Sequence, residues 1–159
     1  MKNMKVAIGC DHAAVTLKDA LVRELSSAGL QMQDEGTFTG DSVDYPDFAA
    51  RVARLVASGA ADRGIVLCGS GIGVSIAANK IHGIRAALCH DVTTARLARL
   101  HNDSNVLCMG GRILGQAVAS DIVRTWLSTQ FGGGRHQGRV DKIESLESAG
   151  AGIVKETSK

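Results

Sequence analysis

Apolar positions along the chain fall into short runs that alternate with longer amphipathic stretches. Val6–Cys10, Gly64–Cys68, Ile84–Cys89 and Asn105–Met109 are nearly continuous apolar runs, as expected of strands that are buried on both faces of a sheet. Residues 30–34 form a weaker and more polar run, which predicts a strand nearer an edge of the sheet. The chain therefore carries the pattern of five strands.

The amphipathic stretches between these runs predict helices. Residues 13–28 place apolar side chains at helical spacing, and a second such stretch begins at Pro46, which suits a first helical position, and ends at Gly59. Further helices are predicted over residues 74–80, 92–100, 113–130 and about 139–148. Residues 149–159 are predicted to be a flexible tail.

Strands that alternate with helices predict a parallel sheet with right-handed crossovers. The expected fold is therefore α/β, a three-layer Rossmann-like single domain with a five-stranded parallel sheet, over residues 1–148. Aromatic residues make up only 3% of the chain, so the core must be built from Ala, Val, Leu and Ile.

Composition narrows the function classes. The 159 residues carry a formal net charge of +2, which is too mild to indicate nucleic-acid binding. No apolar run approaches the roughly 20 residues that cross a bilayer, and the N-terminus leads directly into a strand without a signal-peptide core. We therefore expect a cytoplasmic protein without membrane or nucleic-acid partners.

Chemically capable side chains follow the predicted strands. Ligands of an open parallel sheet bind outside the carboxyl ends of the strands. Asp11 and His12 follow the first strand, Cys68 ends the third, and Arg112 follows the fifth. This edge of the sheet is therefore the expected site.

Cys68 is distinguished from the other three cysteines by the segment Gly69–Gly73 that follows it. Successive backbone N–H groups and a helix N-terminus in such a loop favour an anion, including a thiolate that acts as a base or a nucleophile. The alternative is a small buried side chain at a strand end, which we prefer for Cys10, Cys89 and Cys108. The loop lacks both the full dinucleotide-binding spacing and a Walker ending.

The remaining candidates are weaker by themselves. Asp11 suits a helix cap and His12 a surface position, or the pair binds substrate hydroxyls or phosphate and assists proton transfer. His101 and Asn102 suit the C-terminal end of a helix. Arg135 and Arg139 would share a helical face and, with Arg112, suggest an anionic substrate. No cluster has the spacing of a metal site.

Together these motifs resemble the type B ribose-5-phosphate isomerases, whose family includes the galactose-6-phosphate isomerase subunits. The resemblance runs in order from about Lys5 to Glu147. Its motifs are Gly9–His12, Asp44–Pro46, Cys68–Lys80, Gly83–Ala86, His101–Asp103, Asn105–Leu107 and Gly133–Gln137.

The resemblance implies interconversion of ribose 5-phosphate and ribulose 5-phosphate in the pentose phosphate pathway, without a metal or organic cofactor. Cys68 matches the base that moves a proton between C2 and C1 through a cis-enediolate, and His101 matches the residue that opens the furanose ring. Ser70, which stands where many relatives have threonine, would stabilise the enediolate together with the loop N–H groups. The matching substrate-binding positions are Asp11, His12, Tyr45, Gly69, Gly71, Gly73, Asn102, Arg112, Arg135 and Arg139.

The resemblance also implies a homodimer or homotetramer in which a neighbouring subunit completes each site. Two alternatives stay open at this point. One is an isomerase of a six-carbon sugar phosphate, such as allose 6-phosphate or galactose 6-phosphate. The other is a non-catalytic sugar-phosphate sensor, and a nucleotide-binding domain is a weaker third choice because no stacking aromatics can be placed.

Overall fold

The computed structural model describes residues 3–153 and, among them, the side chains of residues 3–147. The strands are β1 (Lys5–Cys10), β2 (Gln31–Asp34), β3 (Arg63–Cys68), β4 (Ala86–Leu88) and β5 (Val106–Gly110). The helices are α1 (Val15–Ser27), α2 (Tyr45–Ala57), α3 (Ile72–Ala78), α4 (Val92–Asn102), α5 (Gln116–Ser128) and α6 (Gln137–Ile153). Short 3₁₀ turns at His12–Ala14 and Gly134–His136 precede α1 and α6.

The sheet has the strand order β2-β1-β3-β5-β4, and all of its strand pairs are parallel. Helices cover both faces, which confirms the predicted three-layer α/β fold. The register pairs Cys10 with Leu67 and Cys68 with Gly110, so β1, β3 and β5 end at nearly the same level. β2 lies at an edge, as its polar sequence predicts.

Two apolar clusters fill the space on either side of the sheet. Val6 and Ile8 of β1 pack with α1, α4 and α5, where Trp126 is fully buried. Ala7 and Val66 face the opposite side and pack with α2 and α3. Alternate residues of one strand thus serve different clusters, which explains why the strands read as continuous apolar runs.

The structure corrects two of the predicted boundaries. β4 covers only Ala86–Leu88 rather than residues 84–89, because Ile84 still belongs to the preceding turn, where its N–H donates to the Ile81 carbonyl at 3.2 Å. Asn79 exchanges two side-chain hydrogen bonds with the backbone of Ala86 at the free edge of the strand. α5 begins at Gln116 rather than at Ile113, because residues 113 and 114 turn back and donate their N–H groups to the Gly110 carbonyl.

The C-terminal helix α6 begins earlier and ends later than predicted, at Gln137 and Ile153. Residues 149–153 of the predicted tail belong to this helix, and residues 154–159 lie outside the described residues. The flexibility of the tail therefore stays a prediction. No helix among residues 3–153 is long and apolar enough to cross a membrane.

Candidate active site

Cys68 is the last residue of β3, and the turn that follows directs a backbone donor at its sulfur. The Gly71 N–H donates to Cys68 Sγ at 3.1 Å. Gly71 has φ 79°, and a Cβ there would lie 2.6 Å from Leu88 Cδ1 and 2.7 Å from the Met109 carbonyl carbon. Only glycine therefore permits this turn, and the N–H that it presents stabilises negative charge on the sulfur.

The other cysteines are buried in apolar surroundings. Burial raises the pKa of Cys10 to about 12 and the pKa of Cys89 to about 11. Burial also raises the pKa of Cys108, which is fully enclosed on the α2–α3 side of the sheet. These thiols stay protonated at neutral pH, in agreement with the sequence-based preference for a structural role.

Three further predicted residues approach Cys68 from neighbouring elements. Asp11 follows β1, and its Oδ1 accepts from the Ala13 N–H at 2.9 Å. Tyr45 begins α2 with its ring so close to Gly73 that a Cβ there would lie 2.5 Å from the ring carbons Cε2 and Cζ. Arg112 follows β5, donates its backbone N–H to the Gly69 carbonyl at 3.0 Å and lays its side chain along that glycine.

These elements enclose an open cleft of about 640 Å³ at the carboxyl edge of the sheet. Its size falls within the range of small-molecule sites. One part of the wall is polar and the other is apolar. The lining residues are Asp11, Tyr45, Cys68, Gly69, Ser70, Ile72, Gly73, Ile76, Arg112 and Ile113.

Two further predicted residues, His12 and Ser70, make local contacts that stabilise the backbone. His12 Nδ1 accepts from the Val43 N–H at 3.2 Å, which ties the loop before α2 to the end of β1. Ser70 Oγ accepts from the Ile72 N–H at 3.3 Å, as a capping hydroxyl does. The predicted enediolate contact would require this hydroxyl to donate its own proton, which the capping bond leaves free.

His101 and Asn102 lie at the opposite edge of the sheet. Helix α4 starts beside the carboxyl end of β4 with Asp91 as its N-cap. Its 11 residues cover about 16 Å and end just before β5 begins. The structure therefore does not bring His101 into the cleft of its own chain.

A second group of predicted residues gathers around His101. Its ring stacks on that of His136, with centroids 4.3 Å apart and an interplanar angle of 12°. The Gly132 N–H donates to the Leu100 carbonyl at 2.9 Å, which joins the glycine-rich segment to the end of α4. Arg135 lies in the adjoining 3₁₀ turn and Arg139 in the first turn of α6.

This second group is cationic. Partial burial, together with the nearby His101, Arg135 and Arg139, lowers the pKa of His136. The arginines present forked donors beside a neutral imidazole, an arrangement that suits a phosphate group. His136 lies in the Gly133–Gln137 motif, but the sequence alone assigns it no role; its position directly after Arg135 is the available signal.

The predicted site residues thus form two half-sites. The first, called the cleft here, contains Cys68, Asp11, Tyr45 and Arg112. The second, called the cationic half-site here, contains His101, Asn102, Arg135, His136 and Arg139. Among residues 3–147, no group of three or more His, Cys, Asp or Glu side chains is placed to hold a metal ion.

Comparison with known proteins places this arrangement in a family. The family model described as Ribose/Galactose Isomerase matches residues 6–143. Ribose-5-phosphate isomerase B of Escherichia coli (strain K12) is 48% identical over 143 residues, which cover 90% of this chain and 96% of that protein. A D-erythrulose-4-phosphate isomerase of Pectobacterium atrosepticum is 42% identical over 145 residues, covering 91% of this chain and 95% of the relative.

Solved structures agree with these matches. The structure of Clostridium thermocellum ribose-5-phosphate isomerase B superposes with a TM-score of 0.91 at 51% identity and covers 92% of this chain and 99% of that one. The family model spans residues of all five strands and of both half-sites. The chain therefore belongs to the ribose/galactose isomerase family of sugar-phosphate isomerases.

Proposed function

We propose that the protein interconverts ribose 5-phosphate and ribulose 5-phosphate, with Cys68 as the base. The observation that carries this proposal is the Gly71 N–H directed at Cys68 Sγ within an open cleft. A thiolate held in this way is a base beside further backbone donors. The reaction belongs to the pentose phosphate pathway.

The cleft supplies what an enediolate mechanism requires. The Cys68 thiolate removes the proton from C2 of the open-chain aldose, and the electron pair forms the C1–C2 double bond while the carbonyl electrons move to O1. The resulting thiol, whose proton exchanges with solvent between the two steps, donates a proton to C1, as O2 loses its proton and O1 gains one. N–H groups of the segment Gly69–Gly73 and the Ser70 hydroxyl stabilise the charge on these oxygens, and one such donor commonly contributes about 3–4 kcal/mol.

A second copy of the chain completes each site in this proposal. Cys68 and His101 lie at opposite edges of one sheet, so a single chain cannot bring both to one sugar. The rim of the cleft carries Ile72, Ile76 and Ile113, each more than half exposed. An apolar rim around a polar centre suits burial against a partner.

The partner would contribute its cationic half-site to the cleft. His101 would transfer protons between the ring oxygen and the C1 hydroxyl to open the furanose. Arg135 and Arg139 would bind the phosphate together with Arg112 of the cleft, and Asn102 would contact a sugar hydroxyl. Asp11, His12 and Tyr45 would hold hydroxyl groups on the cleft side, so the substrate would lie across the interface.

The test of the base is the variant Cys68→Ala, assayed with ribose 5-phosphate in the presence of EDTA. General-base removal commonly costs about 10²–10⁴-fold in rate, so turnover and C2 proton exchange in heavy water should both fall by that amount. Cys89→Ala is the matched control, because it removes a buried thiol outside the cleft. Proton exchange at the wild-type rate in Cys68→Ala would show that another group is the base.

A different sugar length is the second candidate for the substrate. It is favoured by the open cleft and by the 42% identical relative that is named for a four-carbon substrate. Values of kcat/KM measured in parallel on four-, five- and six-carbon sugar phosphates, allose 6-phosphate and galactose 6-phosphate included, decide between them. Binding without interconversion of any of these sugars would indicate the sensor instead.

A further inference from the structure

Arg85 lies between two elements of the cationic half-site and bonds to both. It precedes β4, in the Gly83–Ala86 segment whose role the proposed mechanism leaves unexplained. Its side chain is 15% exposed. Three of its nitrogen atoms donate hydrogen bonds to the C-terminal end of α4 and to α6.

The contacts with α4 hold the backbone immediately after His101. Arg85 Nε donates to the carbonyl oxygens of Asn102 and Asp103 at 3.2 and 3.1 Å, and Nη2 donates to Asp103 Oδ2 at 3.0 Å. Asp103 has φ 45°, a left-handed conformation that is unfavourable for an aspartate. Its other carboxylate oxygen accepts from Arg99 Nη1 at 2.7 Å. Two arginines thus stabilise the turn that ends the helix.

The contact with α6 reaches the element that carries the phosphate-binding arginines. Arg85 Nη1 donates to Glu144 Oε1 at 2.7 Å. Glu144 lies on the same helix as Arg139 and follows the turn that presents His136. One guanidinium therefore bonds to the end of α4, which carries His101, and to α6, whose preceding turn carries the stacked His136.

The backbone of Arg85 is itself held in place. Its N–H donates to Asn105 Oδ1 at 2.8 Å, and Asn105 Nδ2 donates to the Gly83 carbonyl at 2.8 Å. The Gly83 N–H donates to both carboxylate oxygens of Glu147 at 3.0 Å. The segment before β4 is thus bonded to the start of β5 and to α6, which makes it a rigid support.

We infer that Arg85 is a positioning residue, whose guanidinium sets the spacing between His101 at the end of α4 and the His136–Arg139 segment, which spans the 3₁₀ turn and the first turn of α6. It touches no substrate in this arrangement. It affects the reaction by fixing the relative positions of the side chains that the cationic half-site presents to the cleft of the partner subunit. The catalytic part of this inference rests on the proposed function, whereas the spacing itself does not.

Arg85→Lys is the informative variant, since it keeps the charge and removes the fork. A lysine ammonium is a point charge and cannot bridge Asp103, Glu144 and two carbonyl oxygens at once. Misplacement of about 1 Å can cost about a hundredfold in rate, so kcat/KM for ribose 5-phosphate should fall by about ten- to a hundredfold. The matched control is Arg124→Lys, which weakens the ion pair between Arg124 of α5 and Glu24 of α1 and should leave kcat/KM unchanged.

A second readout reports the spacing without reference to activity. Partial burial lowers the pKa of His136, together with His101, which acts on it across the spacing between α4 and the start of α6, and with the adjoining Arg135 and Arg139. If Arg85 sets that spacing, Arg85→Lys should raise the pKa of His136 toward the ordinary histidine value in an NMR titration. Glu144→Gln, a change at a half-exposed side chain, should shift it in the same direction and serves if Arg85→Lys does not fold.

The outcomes separate this inference from the proposed function. An inactive wild-type protein would overturn the proposed substrate, while the His136 titration would still decide the role of Arg85. A wild-type pKa of His136 in both variants would overturn the positioning role, whether or not activity falls. A shifted pKa together with reduced kcat/KM, and neither change in Arg124→Lys, is the expected result.

Discussion

Separation of Cys68 and His101 to opposite edges of one sheet leads to a complementation experiment. Each variant, Cys68→Ala and His101→Ala, should be nearly inactive as a pure protein, because every one of its sites lacks either the base or the ring-opening group. When the two are denatured together and refolded as a mixture, some dimers contain one copy of each. Such a mixed dimer should recover activity, since its two sites are no longer equivalent.

The size of the recovery follows from the twofold relation between the subunits. In a mixed dimer, one site combines both lesions, and the other combines the intact Cys68 of one copy with the intact His101 of its partner. Random pairing makes about half of the dimers mixed, and half of their sites are intact. The mixture should therefore show about a quarter of the wild-type specific activity, well above the residual of about 1% or less expected of Cys68→Ala alone.

The assay is the initial rate of ribulose 5-phosphate formation at equal total protein, with size-exclusion chromatography to verify assembly. The control mixture combines Cys68→Ala with Asp11→Asn, because both lesions lie in the cleft and no pairing of these copies creates an intact site. Recovery should be absent there. If the Cys68→Ala and His101→Ala mixture stays at the level of its components while mixed dimers are present, each site is built within one chain, and the reasoning from α4 is refuted.

Three further measurements probe individual parts of the site. His101→Ala should lower kcat/KM about a hundredfold for ribose 5-phosphate but less than about tenfold for erythrose 4-phosphate, which cannot close a furanose because its O4 carries the phosphate. Equal losses on the two substrates would rule out the ring-opening role. Iodoacetamide at pH 8 should modify Cys68 before Cys89, whose raised pKa leaves little thiolate, and mass spectrometry that finds Cys89 labelled first would contradict this. Gly73→Ala should displace the Tyr45 ring and lower kcat/KM by about tenfold with little change in Tm, so unchanged kinetics would mean that the ring position is unimportant.

The cleft could be predicted from the sequence because its parts obey rules of parallel sheets. Short apolar runs identified the strands, and the register then brings Asp11, Cys68 and Arg112 to one edge without further information. Gly71, three residues after Cys68, also carries a signal, since a tight strand-to-helix turn needs a residue that accepts positive φ. Local pattern and global topology agree at this place, so the sequence predicts where these three residues lie.

The cationic half-site was less accessible to such reasoning. His101 ends a helix, and a polar helix end has a structural explanation of its own. Only the resemblance to a family assigns His101 to the reaction. The division into two half-sites follows from the direction of α4, which carries His101 away from the cleft. The apolar run over residues 84–89 overestimates the length of β4, because Ile84 still belongs to the preceding turn, where its N–H donates to the Ile81 carbonyl.

The division into two half-sites explains why buried polar side chains support the segment after His101, far from Cys68. A group that meets its substrate across an interface gains nothing from the rigidity of the partner's sheet, so its own subunit must hold it in place. Arg85 and Arg99 both bond to Asp103, directly after His101, and Trp126 donates from the core to the adjoining Ser104 at 2.8 Å. Cys68, the proposed base, needs only a strand end and one glycine turn, because the sheet beneath it is already rigid. The unequal number of supporting side chains is thus a consequence of where each half-site lies in the fold.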